Sequence, residues 1–181
     1  MNDNQPMVKI IRRTVTPDEA ELLVKEIQGT PYIVGYSRQE WLQAENIRIA
    51  EDDNGHLMGV SLNSDFGQNW TKIAVLYVRE EYRRQGVGKG LFYAAIEEAI
   101  ARHRNVYTIS ANPVVVQMIH DLGFATFPSL FSFPENLQNH RASIYRHTLK
   151  WLANFYRIQE IIRKHYVFKL KEDFVYAIRL V

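Results

Sequence analysis

A chain of 181 residues, 46% hydrophobic and 23% charged, has the make-up of one soluble globular domain that buries its own core, which excludes disordered, collagen-like and disulfide-built architectures. It contains no cysteine, so Cys-ligated zinc, thiolate nucleophiles and an acyl-enzyme thioester are excluded as well. With 22 basic against 20 acidic residues the formal charge is +2, which gives no argument for a nucleic-acid or membrane partner. No apolar run approaches the roughly 20 residues that span a bilayer, and the opening MNDNQPMVKIIRR lacks a secretory signal, so a cytoplasmic location is expected.

In chain order, the β-branched run Val8 to Val15 reads as a strand, and Thr16-Pro17-Asp18-Glu19 combines an N-cap, a proline at the first helical position and a capping-box glutamate. That helix carries Leu22, Leu23 and Ile27 and ends at Gly29; Ser37 to Glu40 opens a second, short one. Ile47–Glu51 and Leu57–Leu62 flank Asp53-Asn54-Gly55, a hairpin signal expected to place positive φ at both Asn54 and Gly55, and Ile73–Val78 extends the meander. After Gly86 the pairs Leu91/Phe92, Ala95/Ile96 and Ala99/Ile100 recur in helical steps. Val106–Ala111 is another strand, Asn112-Pro113 caps a helix that closes at Gly123, and Phe124–Phe127 is a short strand. From Glu135 onward there is neither glycine nor proline; Tyr145, Leu149, Leu152, Tyr156 and Ile162 keep helical spacing, as one helix or two, before a last strand over Phe174–Val181.

The stretch Leu76-Tyr77-Val78-Arg79-Glu80-Glu81-Tyr82-Arg83-Arg84-Gln85-Gly86-Val87-Gly88-Lys89 runs from a strand through a glycine turn into a helix, which leaves backbone N–H groups and a helix dipole aimed at one spot, an anion site. It is neither a Walker A loop, since Gly90 follows Lys89, nor a dinucleotide fingerprint, since Leu91 takes the place of the third glycine. Arg83, Gly86 and Gly88 in this setting, with Asn112 at a strand end and Leu122-Gly123-Phe124 closing the next helix, resemble the GNAT superfamily of acyl-CoA-dependent N-acyltransferases over residues 8–127. The resemblance implies an α/β (α+β) fold with a central mixed, largely antiparallel sheet and flanking helices, a single N-acetyltransferase domain over 1–181, and a helical insertion at 135–171 before the last strand. It implies acetyl-CoA as cosubstrate, with the N–H groups of Arg84, Gln85, Gly86, Val87, Gly88 and Lys89 around the pyrophosphate and Arg83, Arg84 or Lys89 reaching further phosphates. It also implies that the pantetheine pairs with the edge Leu76-Tyr77-Val78, that the N–H of Val78 polarises the thioester carbonyl, and that Asn112 contacts the pantetheine arm; a plain helix cap explains Asn112 equally.

The catalytic groups depart from the family pattern. Ile119 stands where many members place the tyrosine that protonates the leaving thiolate, with His120 beside it about 100° around the helix. The strand position at which members carry a glutamate base falls on Lys72 or a neighbour, and no carboxylate lies between Trp70 and Val78. Asp65, and Glu40 and Glu45 on the second helix, are the remaining candidate bases; the alternatives are a water relay, a desolvated acceptor or an acceptor of low pKa. This matters because an amine of pKa about 10.4 is free base in only about one molecule in 2,500 at pH 7.

Acceptor choice is expected from the loop with Tyr32, Tyr36 and Trp41 and from the segment 128–173. There Tyr145, Trp151, Phe155 and Tyr156 stand beside Arg146, His147, Lys150, Arg157, Arg163, Lys164 and His165, which allows an aromatic-lined pocket or a lid; the stronger expectation is that the aromatics pack a helix onto the sheet and the basic residues are its wet face. His140 and His147 have no metal-ligand company. The reading is acyl transfer to a primary amine of a small molecule or peptide by direct attack, with no metal and no membrane partner, and a homodimer left open. Two alternatives stand beside it: an acyl-CoA sensor without turnover, and acylation of an RNA-linked amine through the basic stretch 141–171.

Overall fold

The computed structural model describes residues 8–169 and 173–181, so the end of the basic stretch at Lys171 and the start of the chain lie outside the described residues. Seven strands form one sheet: β1 Lys9–Arg12, β2 Ile47–Glu51, β3 Leu57–Phe66, β4 Trp70–Val78, β5 Asn105–Ser110, β6 Ala125–Phe127 and β7 Val175–Arg179, in the order β1-β2-β3-β4-β5-β7-β6. All pairings are antiparallel except β4 with β5. The helices are α1 Pro17–Gln28, α2 Arg38–Leu42, α3 Val87–Ala101, α4 Pro113–Asp121, α5 Gln138–Leu152 and α6 Phe155–Phe168. This is the mixed, largely antiparallel sheet expected from the sequence, with α5 and α6 inserted before the last strand. None of the described helices is long and apolar enough to cross a membrane.

Local chemistry sets the helix ends. Thr16 accepts from the N–H of Glu19, and Glu19 returns a bond to the N–H of Thr16; Ser37 and Glu40 repeat this box at α2. Asn154, whose side chain accepts from the N–H of Arg157, caps α6 and makes the insertion two helices instead of one. The β2–β3 hairpin forms where Asn-Gly predicts it, with a different turn: Gly55 has φ +79, whereas Asn54 stays at negative φ. The reason is Asp52, whose carboxylate accepts from the N–H groups of Asn54 and His56 and builds the turn itself.

The core has two sides. Leu23, Ile27 and Trp41 of α1 and α2 pack on Ile49, Val60, Val75 and Tyr77, and Ile144 of α5 continues that layer over Trp70, Tyr107 and Ile178. On the opposite face Phe92, Ala95 and Ile96 of α3 and Ile119 of α4 cover Ile73, Val106 and Ala177.

The α6 helix inverts the expectation for the insertion. Its buried residues are Arg157, Glu160 and Lys164, while Phe155, Ile162 and Tyr166 are exposed. The buried polar stripe fastens α6 to the α1–α2 region. Arg157 Nη2 lies 2.5 Å from Glu40, Arg163 donates to the Gln28 carbonyl, and Lys164 Nζ donates to the carbonyls of Ile27 and Thr30 at the C-terminal end of α1. A cation there satisfies orphaned carbonyls and opposes the negative end of the helix dipole. Arg157→Met is expected to cost about 1–2 kcal/mol, because it removes the charge partner of the Glu40 carboxylate, which keeps its bonds from Ser37 and Asn154. Thermal unfolding checks it, with Tm falling by roughly 5 °C.

Candidate active site

The centre of the site is a fault in β4. Pairing with β3 runs Leu62↔Val75 and then Asn63↔Ile73, so Ala74 is an extra residue, a β-bulge. At the same point the parallel pairing with β5 ends, at Ile73↔Thr108, and β4 continues to Val78 without a partner on that side. The N–H of Arg79 donates to the Met58 carbonyl. Hydrogen bonding alternates along an antiparallel ladder, so Tyr77 faces β3 while the N–H groups of Val78 and Leu76 face the gap. Tyr77 is anchored on the α1 side by a bond from its hydroxyl to Glu26.

Beyond the gap lies the start of α3. Gly86 caps it with φ +81 and no side-chain bond, and the first returning bond is from the N–H of Gly90 to the Gly86 carbonyl. The amides from Arg84 through Lys89 make no backbone hydrogen bond among the described residues, and Arg84 also has positive φ, 64°. A Cβ built on Gly86 meets nothing within 4 Å, whereas one on Gly88 comes 3.3 Å from Val78 Cγ2. Orphaned amides, a dipole and open space form a cradle fitted to a pyrophosphate. The side chains divide: Arg83 Nε bonds back to the Val78 carbonyl, Gln85 to the Glu81 carbonyl, and Arg84 and Lys89 are exposed.

Two chambers meet at the bulge. One, of about 400 Å³, fills the β4–β5 gap and is lined by Ile33, Leu76, Phe92, Asn112 and Tyr176 among others, with Lys72 and Lys164 at its wall and no carboxylate among its lining residues. The other, of about 650 Å³, lies under α2 and α5 and carries Glu40, Asp65, Arg146, His147, Lys150 and Arg157. Ala74 and Trp151 line both. Trp151 is held by a bond from its indole N–H to the Tyr36 hydroxyl, 3.0 Å, and Lys72 Nζ sits 4.3 Å from the centroid of its ring.

Lys72 is 5% exposed and makes no hydrogen bond among the described residues. Burial, helped by the nearby Arg157 guanidinium, brings its pKa down to about 7. The same surroundings act on His147, where burial and then Lys72, Arg157 and Lys150 lower the pKa to about 4.

Asp65 lines the larger chamber but is committed elsewhere. Burial raises its pKa, yet bonds from Thr71 and Arg102 and the charge of Arg104 outweigh this and leave it below the ordinary value, a poor proton acceptor. His120 is exposed on α4 and lines neither chamber, and Ile119 is fully buried in the core. Asn112 does both things weighed for it, capping α4 through the N–H of Val114 and lining the smaller chamber. Glu40 is tied to Ser37, Asn154 and Arg157, and Glu45 lines neither chamber.

A family model, the acetyltransferase (GNAT) family, matches residues 15–124, more than half of the chain. The chain belongs to the GNAT family. It is therefore an acyl-CoA-dependent N-acyltransferase with acetyl-CoA as cosubstrate. No curated protein matches the chain significantly. Among solved structures, N-acetylglutamate synthase from Neisseria gonorrhoeae, complexed with coenzyme A and N-acetyl-glutamate, superposes with a TM-score of 0.63 at 18% identity, over 97% of this chain and 36% of that one. The chain thus spans about a third of that synthase. Rv2747 from Mycobacterium tuberculosis, in complex with CoA, gives 0.62 at 12% identity over 97% of this chain and 100% of its own. NAA60 of Arabidopsis thaliana, in complex with a bisubstrate analogue, gives 0.51 at 19% over 66% and 85%. At these identities the likeness to the GNAT transferases is one of fold.

Proposed function

We propose that this GNAT enzyme moves an acetyl or other short acyl group onto the primary amine of a small molecule by direct attack, the amine entering through the larger chamber and meeting the thioester at Ala74. The observation that carries this reading is the junction itself: a chamber along the unpaired edge of β4 and a second, polar chamber meet at the bulged Ala74 and at Trp151. When bound, acetyl-CoA supplies an acyl carbon already activated as a thioester.

The chain's own groups divide the remaining work. The amides of residues 84–89 bind the pyrophosphate, and Asn112 and Leu76 flank the arm. The free N–H of Leu76, two residues from the bulge and lining the smaller chamber, donates toward the carbonyl oxygen, where negative charge grows as the C–N bond forms; Val78, about 13 Å along the strand from Ala74, flanks the arm nearer the cradle. No carboxylate in the smaller chamber takes the amine proton. Instead, the desolvation and the Arg157 charge that bring Lys72 from 10.5 to about 7 also favour the neutral form of an amine brought beside it, which is otherwise roughly one molecule in 3,000 at pH 7. This supports the desolvated-acceptor alternative, with the proton leaving to water before attack. As the C–S bond breaks, the attacking nitrogen gives up its second proton and the sulfur gains one: Tyr176, on β7 and lining the smaller chamber, donates its phenolic proton to the sulfur in place of the tyrosine that Ile119 replaces, and regains one from the nitrogen through water.

Calorimetric titration with acetyl-CoA and with free coenzyme A, followed by release of thiol in the presence of an amine panel, tests the reading. Micromolar binding and turnover are expected; binding without turnover on any amine would replace it by an acyl-CoA sensor. Tyr176→Phe is expected to lower kcat about 10- to 100-fold with coenzyme affinity unchanged, and an unchanged kcat would remove Tyr176 from the mechanism. Of the basic stretch read as a nucleic-acid contact, Arg157, Arg163 and Lys164 are spent on Glu40, Glu160 and backbone carbonyls, which leaves that alternative without its main residues.

A further inference from the structure

We propose that the acceptor carries an oxyanion, a carboxylate or a phosphate, bound at the junction of the two chambers by Lys72 and Lys150, beside the Glu40-paired Arg157. This rests on the acyl-transfer reading and names the class of its acceptor.

Three observations carry it. First, cations converge on one ring: Lys72 Nζ lies 4.3 Å from the Trp151 centroid, and the Arg157 guanidinium carbon lies 5.0 Å from it and 4.4 Å from the Tyr36 ring. Like charges gathered in a half-buried cavity repel and are costly unless an anion joins them. Second, the acids of the larger chamber are already neutralised. Glu40 is held by Arg157, Asn154 and Ser37, and Asp65 by Arg102, Arg104 and Thr71, while Lys72, Arg146 and Lys150 have no ion-pair partner among the described residues. Third, the Lys72 side chain is nine-tenths buried at the wall of the smaller chamber and makes no hydrogen bond among the described residues. Buried donors are ordinarily satisfied, so an unsatisfied ammonium there marks a ligand's place. A carboxylate or phosphate is acceptor-only and multidentate, which matches unpaired ammonium groups whose neighbouring carboxylates are already engaged. An acceptor so held keeps its amine free to reach Ala74, one wall away.

The test uses matched acceptors. Thiol release from acetyl-CoA is measured for α-amino acids against their carboxamides, and for amino-sugar phosphates against the same sugars without phosphate. The proposal expects one of the anionic series to exceed its neutral partners by at least about 30-fold in kcat/KM, and expects Lys72→Met to cut that ratio at least about tenfold, chiefly through KM. Which series wins identifies the anion. Equal rates for anionic and neutral partners, or a ratio unmoved in Lys72→Met, would overturn it while leaving acyl transfer intact. A second measurement covers an acceptor outside the panel: calorimetric titration of the protein with succinate and with inorganic phosphate, in a chloride buffer. Saturable binding of one, weakened about tenfold or more in both Lys72→Met and Lys150→Gln, is the expected result; no saturable binding of either sinks the proposal. Failure of acetyl-CoA itself to bind would strike the acyl-transfer reading, and the anion titration would still report on the junction.

Discussion

Gly86→Glu is expected to weaken coenzyme A binding at least about 100-fold, with the fold retained. The residue caps α3 at φ +81 with open space around the position of a Cβ, so no side chain of the protein is displaced by the substitution. The left-handed backbone costs a non-glycine residue about 1–2 kcal/mol. The larger effect comes from placing a carboxylate in the mouth of the amide cradle, where it occupies the ligand's volume and opposes its charge. Gly86→Asn separates the two causes, since asparagine tolerates this backbone and brings no charge; it should stay within about tenfold of the parent affinity. Calorimetry with coenzyme A reads both. Unchanged affinity in Gly86→Glu would show that the phosphates lie elsewhere.

Lys72→Met is expected to stabilise the protein at neutral pH, an unusual outcome for loss of a buried lysine. The folded-state pKa of Lys72, about 7, lies below its ordinary 10.5, so between those values the unfolded chain holds a proton that the folded one releases. Stability contributed at this site therefore rises with pH across that window, and below pH 7 the full burial penalty is in force. That net penalty is on the order of 4–5 kcal/mol. A methionine carries no such cost, so the variant should gain on the order of 4 kcal/mol at pH 6, and the gain should fade toward pH 10. Urea unfolding at pH 6, 8 and 10 measures it; a variant no more stable than the parent at pH 6 would mean that Lys72 is better solvated than its surroundings indicate.

What could be read from the sequence was what local chemistry dictates. The two capping boxes, the Asn112-Pro113 start, the glycine turn before α3 and the order of strands all follow from residues a few positions apart, and the structure forms them. Asn54 shows the limit even of local rules, because a neighbouring aspartate outbid the expected turn. The insertion was misread for a clearer reason. Both faces of α6 keep helical spacing, Phe155-Ile162-Tyr166 on one side and Arg157-Glu160-Lys164 on the other, and only the carbonyls of α1 and the acid of α2 decide that the polar face turns inward. The Lys72–Trp151 pair lies in the same blind spot. The position of Lys72 stood out as the place of a missing glutamate, but its unmatched charge depends on a ring 79 positions further along the chain.

The extra residue at Ala74 sets the phase of everything that follows it on β4. Trp70 and Lys72 before it, and Val75 and Tyr77 after it, lie on the same side of the sheet although the two pairs differ in parity. A pleat that counted without interruption would send one pair to the opposite layer. Shortening the chain by that single alanine would leave both pairs on their own side and remove only the kink; drawing Ala74 into a regular pleat would either expel the lysine from its chamber or turn Val75 and Tyr77 out from under the first helices. Catalysis and core share one counting step, and the strand can lose Ala74 without losing its phase but cannot pair it.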